Sequence, residues 1–241
     1  SGKELVARKI HKLSFRNKDP FIVINAASLK EKTYEKELFG QEFESGIISY
    51  GALDRANKGT LLIDELTEIP LETQANILRV LIDQKFKRVN GKKDVNVNIR
   101  IISSTSKNLE EEVASGKFRE DLFHRLNVIR VHIPALRERK QDIEQLAQHF
   151  LIRAADELGV DVKTLHASSV EILNQLDWPG NVRQLENLCR WLTVMASGSE
   201  VLPSDLPNEL MEEQKDSRTI EEHSWQTQLA SWARTALNEG D

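Results

Sequence analysis

The hydrophobic positions of this chain change their period along its length, and the change divides it in two. Leu5, Val6, Ile10 and Leu13 recur at helical spacing directly after Gly2-Lys3, which predicts an amphipathic helix at the start of the chain. "PFIVINAAS" then reads as a short buried strand and "KTYEKELFG" as a short helix stopped by Gly40. "GTLLIDEL" is an apolar strand ending in two acids. "LETQANILRVLIDQ" sets Ile77, Leu78, Leu81 and Ile82 at helical spacing, and "KFKRVNGKKDVNVN" carries Asn90-Gly91 as a hairpin turn. "IRIISSTS" and "VIRVHIP" follow as a third and a fourth buried strand. Apolar strands separated by helices predict an α/β fold, a parallel sheet covered on both faces.

After Pro134 the pattern changes. "RKQDIEQLAQHFLIRAADELG", "ASSVEILNQL" and "NVRQLENLCRWLTVMASG" are three helix candidates with no strand expected between them, so a smaller all-helical domain is predicted. From about Met211 the chain turns polar and ends in one more amphipathic piece, "WQTQLASWARTALNEGD". There is no internal repeat and no low-complexity segment.

With 241 residues, 39% hydrophobic and 29% charged, the chain is long enough for one large domain or two unequal ones with real cores. The formal charge of −5 argues against a surface that coats nucleic acid, although a local basic patch stays open. Cys189, alone, excludes an internal disulfide; it sits in an apolar helical run and reads as a buried, inert thiol before it reads as a nucleophile. No apolar run approaches the ~18 residues of a membrane helix and no signal peptide is visible, so a cytoplasmic protein with no membrane partner is expected.

Candidate chemistry begins with Gly2-Lys3. Phosphate loops surround phosphate with backbone N–H groups and a helix N-terminus, while a lysine adds charge. By itself the pair reads equally as a solvated lysine in a first helical turn, and Glu4 stands where Ser or Thr is usual. "GTLLIDEL" adds Asp64 and Glu65 at the C-terminal edge of a buried strand, where open α/β sheets bind ligands. There Asp64 would hold Mg²⁺, directly or through water, and Glu65 would orient and polarise an attacking water; a strand end surfacing into acids is the alternative. Thr105 and Ser106 could sense a γ-phosphate or serve only as strand-end turn residues. In "WPGNVRQLENL", Asn181 reads as an N-cap with Gln184 completing a capping box. Arg183 then falls in a helical first turn, where the dipole disfavours a cation, and either an anionic ligand or a nearby acid would answer it. Arg119 and Arg125 are six apart and share no helical face, so a joint role requires Arg119 near a helix start; pairing with Glu120 or Asp121 is the plain alternative. The histidines show no metal-ligand spacing.

Taken in order, "GKELVARKIH", "FIVINAAS", "ELFG", "GTLLIDEL", "ILRVL", "GKFREDLFHRLNVIRVHIPALRERKQDI" and "WPGNVRQLEN" resemble the central AAA+ ATPase domain of bacterial enhancer-binding proteins, the activators of sigma-54 RNA polymerase. The resemblance spans roughly residues 1 to 210 and is nearest to nitrogen-regulation response regulators of the NtrC and NtrX types. It implies a P-loop NTPase subdomain over residues 1–134, a helical lid over 135–210 and a linker towards a helix-turn-helix domain over 211–241. It implies ATP and Mg²⁺ as cofactors, a hexameric or heptameric ring of copies, and DNA contact only through a domain outside this chain. Ser1, Gly2, Lys3 and Glu4 become the end of Walker A, a position where the family has GKE. Asp64 and Glu65 become Walker B, Asn25 the polar switch that contacts the catalytic glutamate, and Thr105 with Ser106 sensor I. Arg119 and Arg125 become arginine fingers reaching a neighbouring subunit, and Arg183 becomes sensor II.

Two departures follow from the same comparison. The family's central strand and GExGxGKE loop would precede Lys3, so the chain is expected to start inside that loop and to bind nucleotide weakly or not at all by itself; a non-hydrolysing oligomerisation and regulatory module is the competing reading. The segment "ELFGQEFESGIISYGALDRANKG" lacks the GAFTGA element that touches sigma-54 and is shorter, which weighs against sigma-54 contact. Phe43 and Tyr50 in it are expected to fold back onto the core, a second gripping surface being the alternative.

Overall fold

The computed structural model describes residues 2–30 and 33–207; Ser1 and the expected linker over 211–241 lie outside the described residues. The chain forms two compact units, Gly2–Ile133 and Pro134 onward, each taken by itself.

The first unit is built on three parallel strands, β1 (Phe21–Asn25), β4 (Thr60–Asp64) and β7 (Arg100–Ser103), in the order β1-β4-β7. β4 is central and buried through Ile63, because a strand paired on both edges and covered on both faces can be apolar at every position. The register sets Asn25 beside Asp64 and Ile63 beside Ser103, so all three strands turn polar at one edge. α1 (Lys3–Lys12) precedes them, and between them run α2 (Tyr34–Phe39), the hairpin β2 (Gln41–Glu42) and β3 (Ile48–Ser49), α3 (Ala52–Arg55), α4 (Leu71–Asp83) and the hairpin β5 (Lys85–Lys87) and β6 (Asp94–Asn96). Asn90 at φ 63° and the bond from Gly91 N to Arg88 O make the expected turn of that second hairpin. Then come α5 (Leu109–Ala114) and α6 (Glu120–Leu126).

Several faces differ from expectation. α1 buries Ala7 and His11, with His11 Nδ1 3.0 Å from Thr60 Oγ1, whereas Leu5 and Leu13 are exposed. A small residue and a hydrogen-bonded imidazole allow a closer approach to β4 than the bulky positions would. α4 buries Thr73, Gln74, Ile77 and Val80, with Leu78 and Leu81 packed at the margin and Ile82 exposed. Residues 128–133 form no strand, and Val128, Ile129 and Val131 are exposed. Among the described residues β7 is paired only with β4, and an extended segment becomes a strand only where a neighbour accepts its ladder. Phe43, Ile47 and Tyr50 in the β2–β3 hairpin are also exposed instead of folding back. The hairpin is pinned at its base: a Cβ on Gly40 (φ 75°) would collide with Ser49 O and Gly51 N, and Asp54 accepts from both Gly51 N and Arg88 Nη2. With the two ends so close, the hairpin has to project outward.

The second unit contains α7 (Ile143–Leu158), β8 (Thr164–Leu165), α8 (Ala167–Gln175), α9 (Asn181–Met195) and β9 (Glu200–Val201) around Leu151, Trp178, Leu185 and Leu192. It is not wholly helical: β8 lies between two of the helices and pairs in parallel with β9. The N-cap of α9 is Gly180, not Asn181. Asn181 takes φ 54° and its Oδ1 accepts from Leu136 N at 2.9 Å, so Gln184 accepts instead from Gly180 N at 3.0 Å. Cys189 is buried, and desolvation, helped by the Glu186 charge, pushes its thiol up to about 12, which leaves it inert.

Candidate functional site

The polar edge of the sheet gathers Lys3, Asp64, Glu65, Ser104 and Ser106. Glu65 leaves β4 in the left-handed region (φ 53°, ψ 51°), a conformation costing about 1–2 kcal/mol for an L-residue. The turn is held by Leu66 N on Ser104 O at 3.0 Å and Glu68 N on Glu65 O at 3.0 Å. It swings the Glu65 carboxylate out of the strand direction, over the edge where β1, β4 and β7 end.

There the Lys3 ammonium donates to Glu65 Oε1, while Ser106 donates to Oε2 through its N (3.0 Å) and its Oγ (2.8 Å). Partial burial raises the Glu65 pKa, but the Lys3 hydrogen bond, the two from Ser106 and the Lys3 charge outweigh it, so the carboxyl titrates below its ordinary value. Asp64 is served separately: Ser104 Oγ donates to its Oδ1. Among the described residues the two acids are thus held by different partners, one by an ammonium and a serine, the other by a hydroxyl alone.

Other expected residues are placed differently. Asn25 sits beside Asp64, but its Oδ1 accepts from Ala27 N at 3.0 Å, capping a short turn and not touching Glu65. Thr105 Oγ1 lies 3.2 Å from Thr67 Oγ1 and accepts from Lys107 N, so it reaches neither acid; the hydroxyls that do are Ser104 and Ser106. Nothing in the sequence pattern singles out Ser104. The run "SSTS" signalled hydroxyls at the strand end, yet which of them meets which acid depends on the Ile63–Ser103 register. Glu4 is exposed and pairs with Arg8 along α1. Arg119 is the N-cap of α6, at the helix start as a joint role requires, and its guanidinium grips both oxygens of Asp121 at 3.0 and 2.7 Å. Arg125, in the last turn, donates to Leu81 O at 3.2 Å. In the second unit Arg183 is exposed in the first turn of α9, and no acid among the described residues pairs with it.

A family model described as the sigma-54 interaction domain matches residues 1–132, and one described as the AAA+ ATPase lid domain matches residues 137–223. The chain belongs to the sigma-54 interaction domain family. It is 53% identical over its whole length to the DNA-binding transcriptional regulator NtrC of Escherichia coli K12, covering 52% of that protein. Over 86% of its length it is 46% identical to the nitrogen assimilation regulatory protein NtrX of Azorhizobium caulinodans, covering 46% of it. A crystal structure of NtrX from Brucella abortus in complex with ADP superposes with a TM-score of 0.82 at 44% identity, over 88% of this chain and 48% of that one. The chain therefore spans about half the length of the relatives it matches. Its α/β sheet and helical second unit are those of an NtrC/NtrX-like sigma-54 activator AAA+ region.

Proposed function

We propose that this sigma-54 interaction domain is the ATP-binding, Mg²⁺-dependent and ATP-hydrolysing module of a bacterial transcriptional regulator of the nitrogen-regulation type, working as a ring of copies. One observation carries the reading: an ionised glutamate at the C-terminal edge of the central strand, held between a lysine of the first helical turn and a serine of the neighbouring strand end. The donor set fits the ligand. Lys3 and the N–H groups at the start of α1 suit phosphate, and the Asp64 carboxylate suits a hard divalent cation.

When bound, Mg²⁺-ATP supplies an electrophilic γ-phosphate. Lys3, with Gly2 and Glu4, forms the phosphate-binding turn, to which Ser1 is assigned from the sequence alone; Asp64 would hold the metal; and Glu65 orients the attacking water. Ser106 is the sensor hydroxyl at the end of β7, while Thr105 faces Thr67, and Asn25 switches towards Glu65 on turnover. Arg119 and Arg125 act on the nucleotide of a neighbouring copy, as arginine fingers stabilise charge developing on transferred phosphate. Arg183, exposed and without an acid partner among the described residues, is assigned as a further phosphate ligand. In this reading residues 1–134 are the nucleotide-binding subdomain, 135–210 the lid and 211–241 a linker. The β2–β3 hairpin, without GAFTGA, does not serve as a sigma-54 contact loop.

The test pairs two substitutions. Glu65→Gln is expected to keep ATP affinity and lower turnover by about 10²-fold or more, whereas Lys3→Ala loses binding itself. Parental hydrolysis by Glu65→Gln would overturn the assignment in favour of a non-hydrolysing assembly module.

A further inference from the structure

Gln74 is a fully buried polar side chain with every function of its carboxamide used. Its Nε2 donates to Ile69 O at 2.8 Å and to Lys117 O at 3.1 Å, and its Oε1 accepts from Arg119 N at 2.9 Å. These partners come from three places: the carbonyl that ends the turn started by Glu65, the chain entering α6, and the N-cap of α6 itself. α4 carries Gln74 in a stripe otherwise made of Thr73, Ile77 and Val80, where an apolar residue would be the simpler choice for packing. A buried carboxamide with three bonds is an orienting device, because its planar donors and acceptor fix the relative position of the backbones they join.

The backbone it fixes is the one from which the Arg119 side chain projects. Among the described residues the guanidinium of Arg119 is held only by Asp121, two residues on and exposed, so these contacts tie it to nothing outside α6. The Glu65 turn, by contrast, has independent holds in Lys3, Ser106 and the Leu66 N to Ser104 O bond. Loss of the Gln74 carboxamide would therefore be felt first at Arg119.

We infer that Gln74 is a positioning residue of the ATPase: it sets the N-terminus of α6 against the turn that presents Glu65, so that Arg119 points correctly at the nucleotide of the neighbouring copy. The inference rests on the proposed role of Arg119 across a subunit boundary. It goes beyond that role by assigning the arginine's aim to a residue of α4 that touches no ligand.

The experiment is a set of mixed rings of the whole protein. Gln74→Met keeps the volume and removes all three bonds. Its homogeneous rings are expected to bind ATP as the parent does and to turn over about 10- to 100-fold more slowly, the scale of a misplacement near 1 Å. Its subunits keep an intact acid and a misdirected finger, so mixing with Glu65→Gln subunits should restore activity, while mixing with Arg119→Ala subunits should not. The control mixture of Arg119→Ala with Glu65→Gln should also recover. No recovery in the control overturns the trans role of Arg119 and this inference with it. Recovery in the control but not with Gln74→Met and Glu65→Gln, or recovery with both partners, overturns the inference alone. Should Gln74→Met not fold, Gln74→Asn, which keeps the amide but withdraws it by one methylene, takes its place under the same criteria. If neither folds, Gln74 is a folding residue and the inference falls.

Discussion

Lys3 Nζ donates to Glu65 Oε1, so the residue assigned to phosphate and the residue assigned to water hold each other across the edge of the sheet. Their separation in sequence is 62 residues, and both side chains are largely buried, at 19% and 21% exposure. If Lys3 takes a phosphate as proposed, the acid would be released, and ligand binding and activation of Glu65 would be a single exchange of partners.

That pair has a pH signature. Glu65 titrates below its ordinary value of 4.5 in the fold. A carboxyl with a depressed folded pKa stabilises above its unfolded pKa and loses that contribution as pH falls through the folded one. The stability of the parent relative to Glu65→Gln is therefore expected to be largest at neutral pH and to shrink as pH drops below 4.5, measured by thermal unfolding across that range. A margin unchanged down to the acid limit would show that the two side chains do not pair in solution.

The strand-end hydroxyls should separate by role. Ser104→Ala leaves Asp64 without its donor and is expected to raise the Mg²⁺ concentration for half-maximal ATPase by about 10-fold, the scale of losing an outer-shell partner. Ser106→Ala removes one of the two bonds to Glu65 Oε2, keeping the one from its backbone N, and should lower turnover about 10-fold with the Mg²⁺ requirement unchanged. Thr105→Ala, whose hydroxyl faces Thr67, should change either quantity less than about threefold. Steady-state kinetics against Mg²⁺ decide this, and equal effects at all three positions would contradict it.

Asn181 combines a left-handed backbone with a tether to Leu136 N two residues before Arg183. Asn181→Gly keeps the backbone and loses the bond, at about 1 kcal/mol; Asn181→Ala loses both, at about 2 kcal/mol or more. Urea unfolding should rank the variants parent, Gly, Ala, and an Ala variant as stable as Gly would remove the backbone part of the argument.

At a sigma-54 promoter the protein is expected to form no ATP-dependent open complexes, even at concentrations that saturate ring assembly. Its hairpin carries Phe43, Ile47 and Tyr50 outward but lacks the family's gripping element. Robust open complexes would overturn this and would assign the grip to those exposed side chains, in which case Phe43→Ala with Tyr50→Ala should abolish them.

The sequence by itself determined the strands that matter and the edge at which they end. Three apolar residues before Asp64, and the apolar runs before Asn25 and Ser103, are local patterns; in the central strand, burial on both faces leaves few polar positions to spare. That Asp64 and Glu65 close a strand and Lys3 opens a helix was legible for the same reason, since each stands at the boundary of a periodic segment. Tertiary structure decided the rest. Whether Ser104, Thr105 or Ser106 meets an acid depends on the β4–β7 register and on the left-handed turn at Glu65, neither of which a run of hydroxyls encodes. Whether residues 128–133 become a strand depends on a neighbour to pair with, and whether Ala7 or Leu5 faces β4 depends on how closely two elements approach. Gln74 looks like any polar residue of an amphipathic helix until the chain from Lys117 to Arg119 is brought against it. Periodicity reports which side of an element avoids water, but a buried polar contact is fixed by the partner that arrives from elsewhere in the chain.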